Sequence, residues 1–253
     1  MRVLVLFDGS GCISKAAKEL GHDVRSLDIL PLPHIDYPID ILDFKPQLLN
    51  GWVPDMIWAS PPCETFSIKT AMKGGGNMYW ETFKIDGKVY SITPRVNFDV
   101  DKRLKYPERI NSKRELHAKL VDKTVKIIKH YERINKHLVW CIENPASGFM
   151  KFYLREKYSR IIENVTTYCK YGSPYRKETN IFSNIRLNLK WCGIKRKDGK
   201  NSCHHTDSFV LRWDHNKQSI DQIIPKSYLE RSSIPHNLAL EVIQQAENAL
   251  ILV

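Results

Sequence analysis

A chain of 253 residues can build one sizeable core and at most a small second lobe. It contains no apolar run near the roughly 20 residues that cross a bilayer, and "MRVLVLF" runs into a glycine loop without a leader's cleavage pattern, so the expected setting is cytoplasmic, with no membrane partner. The formal net charge of +11 favours a polyanionic partner, and the six cysteines point to reduced thiols, a catalytic thiol or a metal site rather than a disulfide framework.

"RVLVLF" reads as a buried strand, "DGSGC" as a turn and "ISKAAKELG" as an amphipathic helix closed by Gly21. A second strand, "HDVRSLDI", ends near Asp28; "PLPHIDYP" is a loop; "PDMIWA" is another buried strand, stopped by Ser60-Pro61-Pro62. Strands alternating with helices predict a doubly wound, mostly parallel α/β sheet of Rossmann-like type. Residues 68–112 look inserted, with a hairpin turning at Asp86-Gly87. A helix is expected over 113–135, with Leu116, Leu120, Val121, Val125, Ile128 and Tyr131 on its apolar stripe and Lys119, Lys123 and Lys126 on a solvated face. "HLVWCIENP" is a strand ending in a polar turn, residues 183–228 are basic, and the tail is a helix with Pro235 in its first turn.

Three stretches carry chemistry. Phe7-Asp8-Gly9-Ser10-Gly11 lies between a strand and a helix, where glycines let a ligand approach the backbone, and Asp28 follows at the spacing of a ribose-binding acid. A tight turn would leave the same pattern; the third glycine of the dinucleotide fingerprint is missing, which favours a nucleoside without a pyrophosphate. In "SPPC" the proline pair stiffens the chain ahead of Cys63 at the sheet edge where ligands bind, as aiming a nucleophile requires. Glu143-Asn144-Pro145 ends another strand. If the two strands neighbour each other, thiol plus carboxyl suggests addition to a conjugated ring, with the acid at a ring nitrogen; a buried structural cysteine, and a structural cap or salt bridge, are the other readings of Cys63 and Glu143.

Taken together, these residues resemble the cytosine-C5 DNA methyltransferases, and among them the short phage-type enzymes. In family order, "LVLFDGSGC", "SLDI", "IDILDF", "PDMIWASPPCETFS", "WCIENP", "YGSPYRKETNIFSN" and "RSSIPHNLALEVI" are similar to the motifs of that family. The resemblance implies S-adenosylmethionine as cofactor, held by Phe7, Asp8, Gly9, Gly11, Asp28, Ile29, Asp40, Ile41 and Pro61. It implies Cys63 as the nucleophile at C6 of cytosine and Glu143 at N3, with Arg176 and Lys177 as further catalytic residues. The expected partner of a monomeric protein is double-stranded DNA with the target base flipped out, in a host's cytoplasm if the chain is phage-encoded, where marking DNA against restriction is a plausible purpose. RNA is the rival substrate, and a non-catalytic nucleic-acid-binding protein the rival class.

The family's eighth motif presents a glutamine and two arginines where this chain has Tyr175, Lys177 and Thr179. Many members also have an aliphatic residue in place of Pro145. The expected organisation is a catalytic domain over 1–182 plus 229–253, interrupted by the insertion 68–112, and a small recognition region over 183–228. Within the insertion, Tyr79, Trp80, Lys84, Lys88 and Arg95 are candidate strand contacts. Cys169, Cys192, Cys203, His204 and His205 lack a C-x-x-C pair; a zinc site among them stays open, and no metal is assigned.

Overall fold

The computed structural model describes residues 1–68, 71–72, 75–173, 176–193 and 233–251. Nine strands and four α-helices organise them: β1 (Arg2–Leu6), α1 (Cys12–Glu19), β2 (Asp23–Asp28), β3 (Tyr37–Pro38), β4 (Met56–Ala59), β5 (Trp80–Ile85), β6 (Lys88–Pro94), α2 (Pro107–Ile134), β7 (Val139–Pro145), α3 (Met150–Arg155), β8 (Ile162–Thr167), β9 (Glu178–Ser183) and α4 (His236–Ile251). Seven strands form one sheet in the order β3-β2-β1-β4-β7-β9-β8, while β5 and β6 pair separately. Only β9 runs against its neighbours, so the sheet is mostly parallel, as the alternation of elements predicts.

Both faces of the central strands are covered, which explains their near-continuous apolar sequence. Val3 and Val5 of β1, with Met56 and Trp58 of β4, pack against Ile13, Ala16 and Ala17 of α1 and Leu238, Val242 and Ile243 of α4. Leu4, Leu6 and Ile57 face the other way, into a cluster with Val121, Val125 and Ile128 of α2 and Met150 and Leu154 of α3. Strand order reverses at β1, which has β2 on one side and β4 on the other. The carboxyl ends of β1 and β4 therefore open the crevice in which doubly wound sheets bind ligands.

Several sequence expectations change. α2 begins at Pro107, six residues before 113, because Pro107 occupies its first turn and Ile110, Arg114 and His117 extend the buried stripe towards the N-terminus. Leu116 is 46% exposed and leaves that stripe. Of the lysines, Lys119 and Lys126 are exposed, whereas Lys123 Nζ donates to the Leu42 carbonyl at 2.9 Å. The expected hairpin is present: Asp86 (φ 48°) and Gly87 (φ 74°) take the left-handed conformations of a tight two-residue turn. Tyr79, Trp80 and Arg95, expected to touch a nucleic acid strand, are instead buried at the hairpin's root. The periodicity left β8 and β9 unpredicted. Residues 184–193 pack onto the sheet: Leu187 N donates to Asn164 Oδ1, Thr166 Oγ1 to the Lys190 carbonyl and Cys192 N to Thr167 Oγ1.

Candidate active site

The glycine loop leaves β1 through Phe7, whose φ of 62° is left-handed, a conformation that costs a bulky L-residue about 1–2 kcal/mol. It turns through Gly11 (φ 67°) into α1. A Cβ at Gly9 would lie 3.1 Å from Asp28 Oδ2, and one at Gly11 would lie 3.0 Å from the His34 ring, so neither site accepts a side chain without displacing a neighbour. His34 Nε2 lies 3.0 Å from the Asp8 carbonyl and closes this side of the loop. Asp8 is buried, and its Oδ2 has no hydrogen-bond partner among the described residues. Burial pushes its carboxyl up from the usual 3.8 to about 6, against an opposing hydrogen bond from Ser14.

Asp28 ends β2 beside this loop, with Oδ1 accepting from Leu30 N at 2.9 Å. Ile29 is exposed next to it. Asp40 caps a short 3₁₀ turn by accepting from Leu42 N at 2.9 Å. Ile41 is buried in the core beneath that turn. Pro61 is buried at the end of β4.

Cys63 begins a 3₁₀ turn over Glu64–Phe66, and its thiol is half-buried. The loop is tied to the neighbouring strand: β4 and β7 are adjacent and parallel, and Asn144 Nδ2 donates to the Pro61 carbonyl at 3.3 Å. Further along, Phe149 N donates to the Phe66 carbonyl at 2.7 Å. The two proline-bearing motifs, "PPC" and "ENP", thus sit side by side at one sheet edge.

Glu143 is buried on β7. Its Oε1 accepts from Tyr168 Oη at 3.1 Å and from Thr179 Oγ1, and Lys177 Nζ approaches to 4.0 Å. Lys177 also lies 4.5 Å from the Tyr168 ring centroid. All of these contacts fall on Oε1, which leaves Oε2 without a hydrogen bond among the described residues. Thr179 also reaches the carboxyl group: its single hydroxyl proton lies between Glu143 Oε1 and the Asn144 carbonyl, 3.1 Å away. Arg176 is placed elsewhere, paired with Glu178 and 3.5 Å from the Cys192 carbonyl. Sequence reasoning does not place Tyr168 in this cluster, since it lies outside every motif; Thr179 stands within the eighth-motif stretch and Asn144 beside Glu143, but neither is expected there as a site residue, and the pairing of β9 with β7 brings Thr179 to Glu143.

Among the described residues no group of three or more His, Cys, Asp or Glu is placed to hold a metal ion. Cys169 and Cys192 are buried, and Cys203, His204, His205 and Tyr175 lie outside the described residues. No described helix is long and apolar enough to cross a membrane.

At the strand-order switch the glycine loop lies on one side, and on the other the Cys63 loop is tied to the strand that carries Glu143. In sequence the chain is 28% identical over 227 residues to a "Probable DNA (cytosine-5)-methyltransferase" of Frog virus 3, covering 85% of this chain and 84% of that protein. This bears out the resemblance read from the motifs: the chain is similar in sequence to a protein named as a probable cytosine-5 methyltransferase. Similar solved structures include the Entamoeba histolytica methyltransferase EhMeth (13% identity, TM-score 0.46, 75% of this chain and 56% of that one) and the S. pombe Dnmt2 methyltransferase (15%, 0.46, 79% and 58%). The chain spans a little over half the length of these two structures. No protein-family model matches it.

Proposed function

We propose that the protein transfers a methyl group from S-adenosylmethionine to C5 of cytosine in DNA. The observation that carries this reading is the tethering of the Cys63 loop to the strand that bears Glu143, through the Asn144–Pro61 hydrogen bond. The residues around the glycine loop fit the cofactor. Gly9 and Gly11 leave room against the backbone, Asp28 offers a carboxylate to ribose hydroxyls, and the partnerless Asp8 Oδ2 suits a cationic small molecule. When bound, S-adenosylmethionine supplies the electrophilic methyl group.

The chain's own residues do the rest. Cys63, as thiolate, forms a bond to C6 of the ring, and the displaced electron pair makes C5 nucleophilic. Glu143 engages N3 through Oε2, while Tyr168, Thr179 and Lys177 hold its other oxygen in place. After C5 is alkylated, loss of its proton restores the ring and breaks the carbon–sulfur bond. A cytosine stacked in a duplex cannot reach a half-buried thiol, so the target must be flipped out.

Strand contact falls to the distal part of the β5–β6 hairpin. Phe83 (57% exposed) and Tyr90 (71% exposed) offer faces for stacking, and Lys84 and Lys88 are exposed alongside. The basic run Lys195-Arg196-Lys197 is the second candidate contact and lies outside the described residues.

The test is methyl transfer from labelled S-adenosylmethionine to duplex DNA and to RNA, with DNA containing 5-fluorocytosine as a covalent trap. Wild type should label DNA and form a denaturant-stable adduct, because fluorine at C5 cannot leave as a proton does. Cys63→Ser should lose both and still bind cofactor. Full turnover by the serine variant would overturn the mechanism, and labelling of RNA alone would move the substrate.

A further inference from the structure

Asn77 lies between the nucleophile's loop and the root of the β5–β6 hairpin, with no solvent exposure. A side-chain amide has two donor hydrogens and two acceptor lone pairs, and here all four are used. Nδ2 donates to the Thr65 carbonyl at 2.9 Å and the Ser67 carbonyl at 3.0 Å. Oδ1 accepts from Tyr79 N and Trp80 N, each at 2.8 Å. The partners fix the amide's orientation, since two carbonyls demand hydrogens and two N–H groups demand an oxygen. The main chain of Asn77 is held as well: its N donates to the Trp80 carbonyl at 2.9 Å, and its carbonyl accepts from Arg95 Nε at 2.9 Å.

The donor side grips the turn that starts at Cys63. Thr65 and Ser67 flank Phe66, whose N donates to the Cys63 carbonyl at 3.0 Å. The Phe66 ring stacks on Trp80 with centroids 5.3 Å apart, and both rings contact Tyr153. The acceptor side grips the hairpin, where buried Arg95 also lies 3.5 Å from Glu81 Oε1 and from the Gly75 carbonyl. One amide therefore joins the loop that places the thiol to the arm that carries the exposed aromatic and lysine side chains.

We infer that Asn77 is a positioning residue for the Cys63 thiol and the link that couples the β5–β6 hairpin to it. The coupling rests on reading Cys63 as the nucleophile. Asn77→Asp separates the two grips: the carboxylate still accepts from Tyr79 N and Trp80 N, but an oxygen replaces the NH₂ that held Thr65 and Ser67. Misplacing a reacting group by about an ångström costs on the order of a hundredfold in rate. The expected result is trapping on 5-fluorocytosine DNA and kcat slowed by about tenfold to a hundredfold, with KM for DNA unchanged. Alkylation of Cys63 by iodoacetamide, followed on the Cys63 peptide by mass spectrometry, should become faster as the turn loosens. Activity of this variant should recover on acidification, because a protonated carboxyl restores one donor; wild type should show no such recovery. If Asn77→Asp does not fold, Asn77→Ser, which keeps one donor and one acceptor, carries the trapping, kcat and alkylation readings.

Slower trapping with faster alkylation supports the coupling. Unchanged trapping, or a fall in melting temperature with Cys63 alkylation as in wild type, overturns it. Failure of wild type to form any adduct would instead overturn Cys63 as nucleophile, and the alkylation comparison would still report whether Asn77 sets the thiol's environment.

Discussion

Asp8 and Glu143 are both buried carboxyl groups at the carboxyl edge of one sheet, and they are satisfied in opposite ways. Glu143 has one oxygen ringed by Tyr168, Thr179 and Lys177, all belonging to the protein. Asp8 has an oxygen with no described partner, at the end of a strand that leaves through a strained Phe7. Under the proposed function, the difference fits a division of labour across the crevice. A group that acts on the substrate is oriented in advance, since correct placement is most of its effect. A group that waits for a ligand carries a desolvation penalty until the ligand supplies the missing partner.

The strongest test of this contrast removes the oriented acid. Glu143→Gln should lower kcat by about 10²–10⁴-fold while leaving cofactor affinity near wild type, measured by single-turnover methyl transfer and calorimetry. A loss of cofactor affinity comparable to the loss of kcat would show that the two halves are not separate. On the other side, Asp28→Ala removes charge-assisted hydrogen bonds of about 1.5–3 kcal/mol and should weaken cofactor binding roughly tenfold to a hundredfold. Calorimetry giving an unchanged Kd would take Asp28 out of the site.

The smallest effect concerns stability rather than turnover. The Asp8 carboxyl is raised from 3.8 in the unfolded chain to about 6 in the fold, so folding is penalised once the unfolded carboxyl ionises. The penalty is absent well below pH 4, grows between about pH 4 and 6, and is constant above. Asp8→Asn should therefore stabilise the cofactor-free protein by up to about 3 kcal/mol at neutral pH and not at all in acid, as read from denaturant midpoints across pH. A pH-independent gain would mean that packing, not charge burial, separates the two residues.

The parts legible in the sequence are those where burial on both faces leaves an apolar run beside a turn. β1, β4 and β7 announce themselves in this way, and Pro61, Pro62 and Pro145 mark where they end. β9 escaped because its buried residues include Thr179, Asn180 and Ser183, polar groups whose partners come from β7 and β8. Such hydrogen bonds are satisfied only after distant strands pair, so no local pattern records them. The first turns of α2 were hidden for a related reason: "PERINSKR" is polar overall, and only Ile110 and Arg114 turn inward. Cys63, Glu143 and Lys177 stand in motif-bearing stretches of the sequence, whereas Tyr168, which donates to Glu143, does not. Asn77 was equally silent, because an asparagine after a glycine run reads as a turn.

The packing of α4 against α1 and β1 has a consequence for how the protein is made. Val3 and Val5 are covered by Leu238, Val242 and Ile243, which follow them far along the chain. Until α4 has been made, one face of the central strands stays open to water, and the nascent chain carries an uncovered apolar sheet that invites association with other chains. The sheet is consequently closed only when residues 236–251 are free to dock, and chaperone demand should fall sharply at that point.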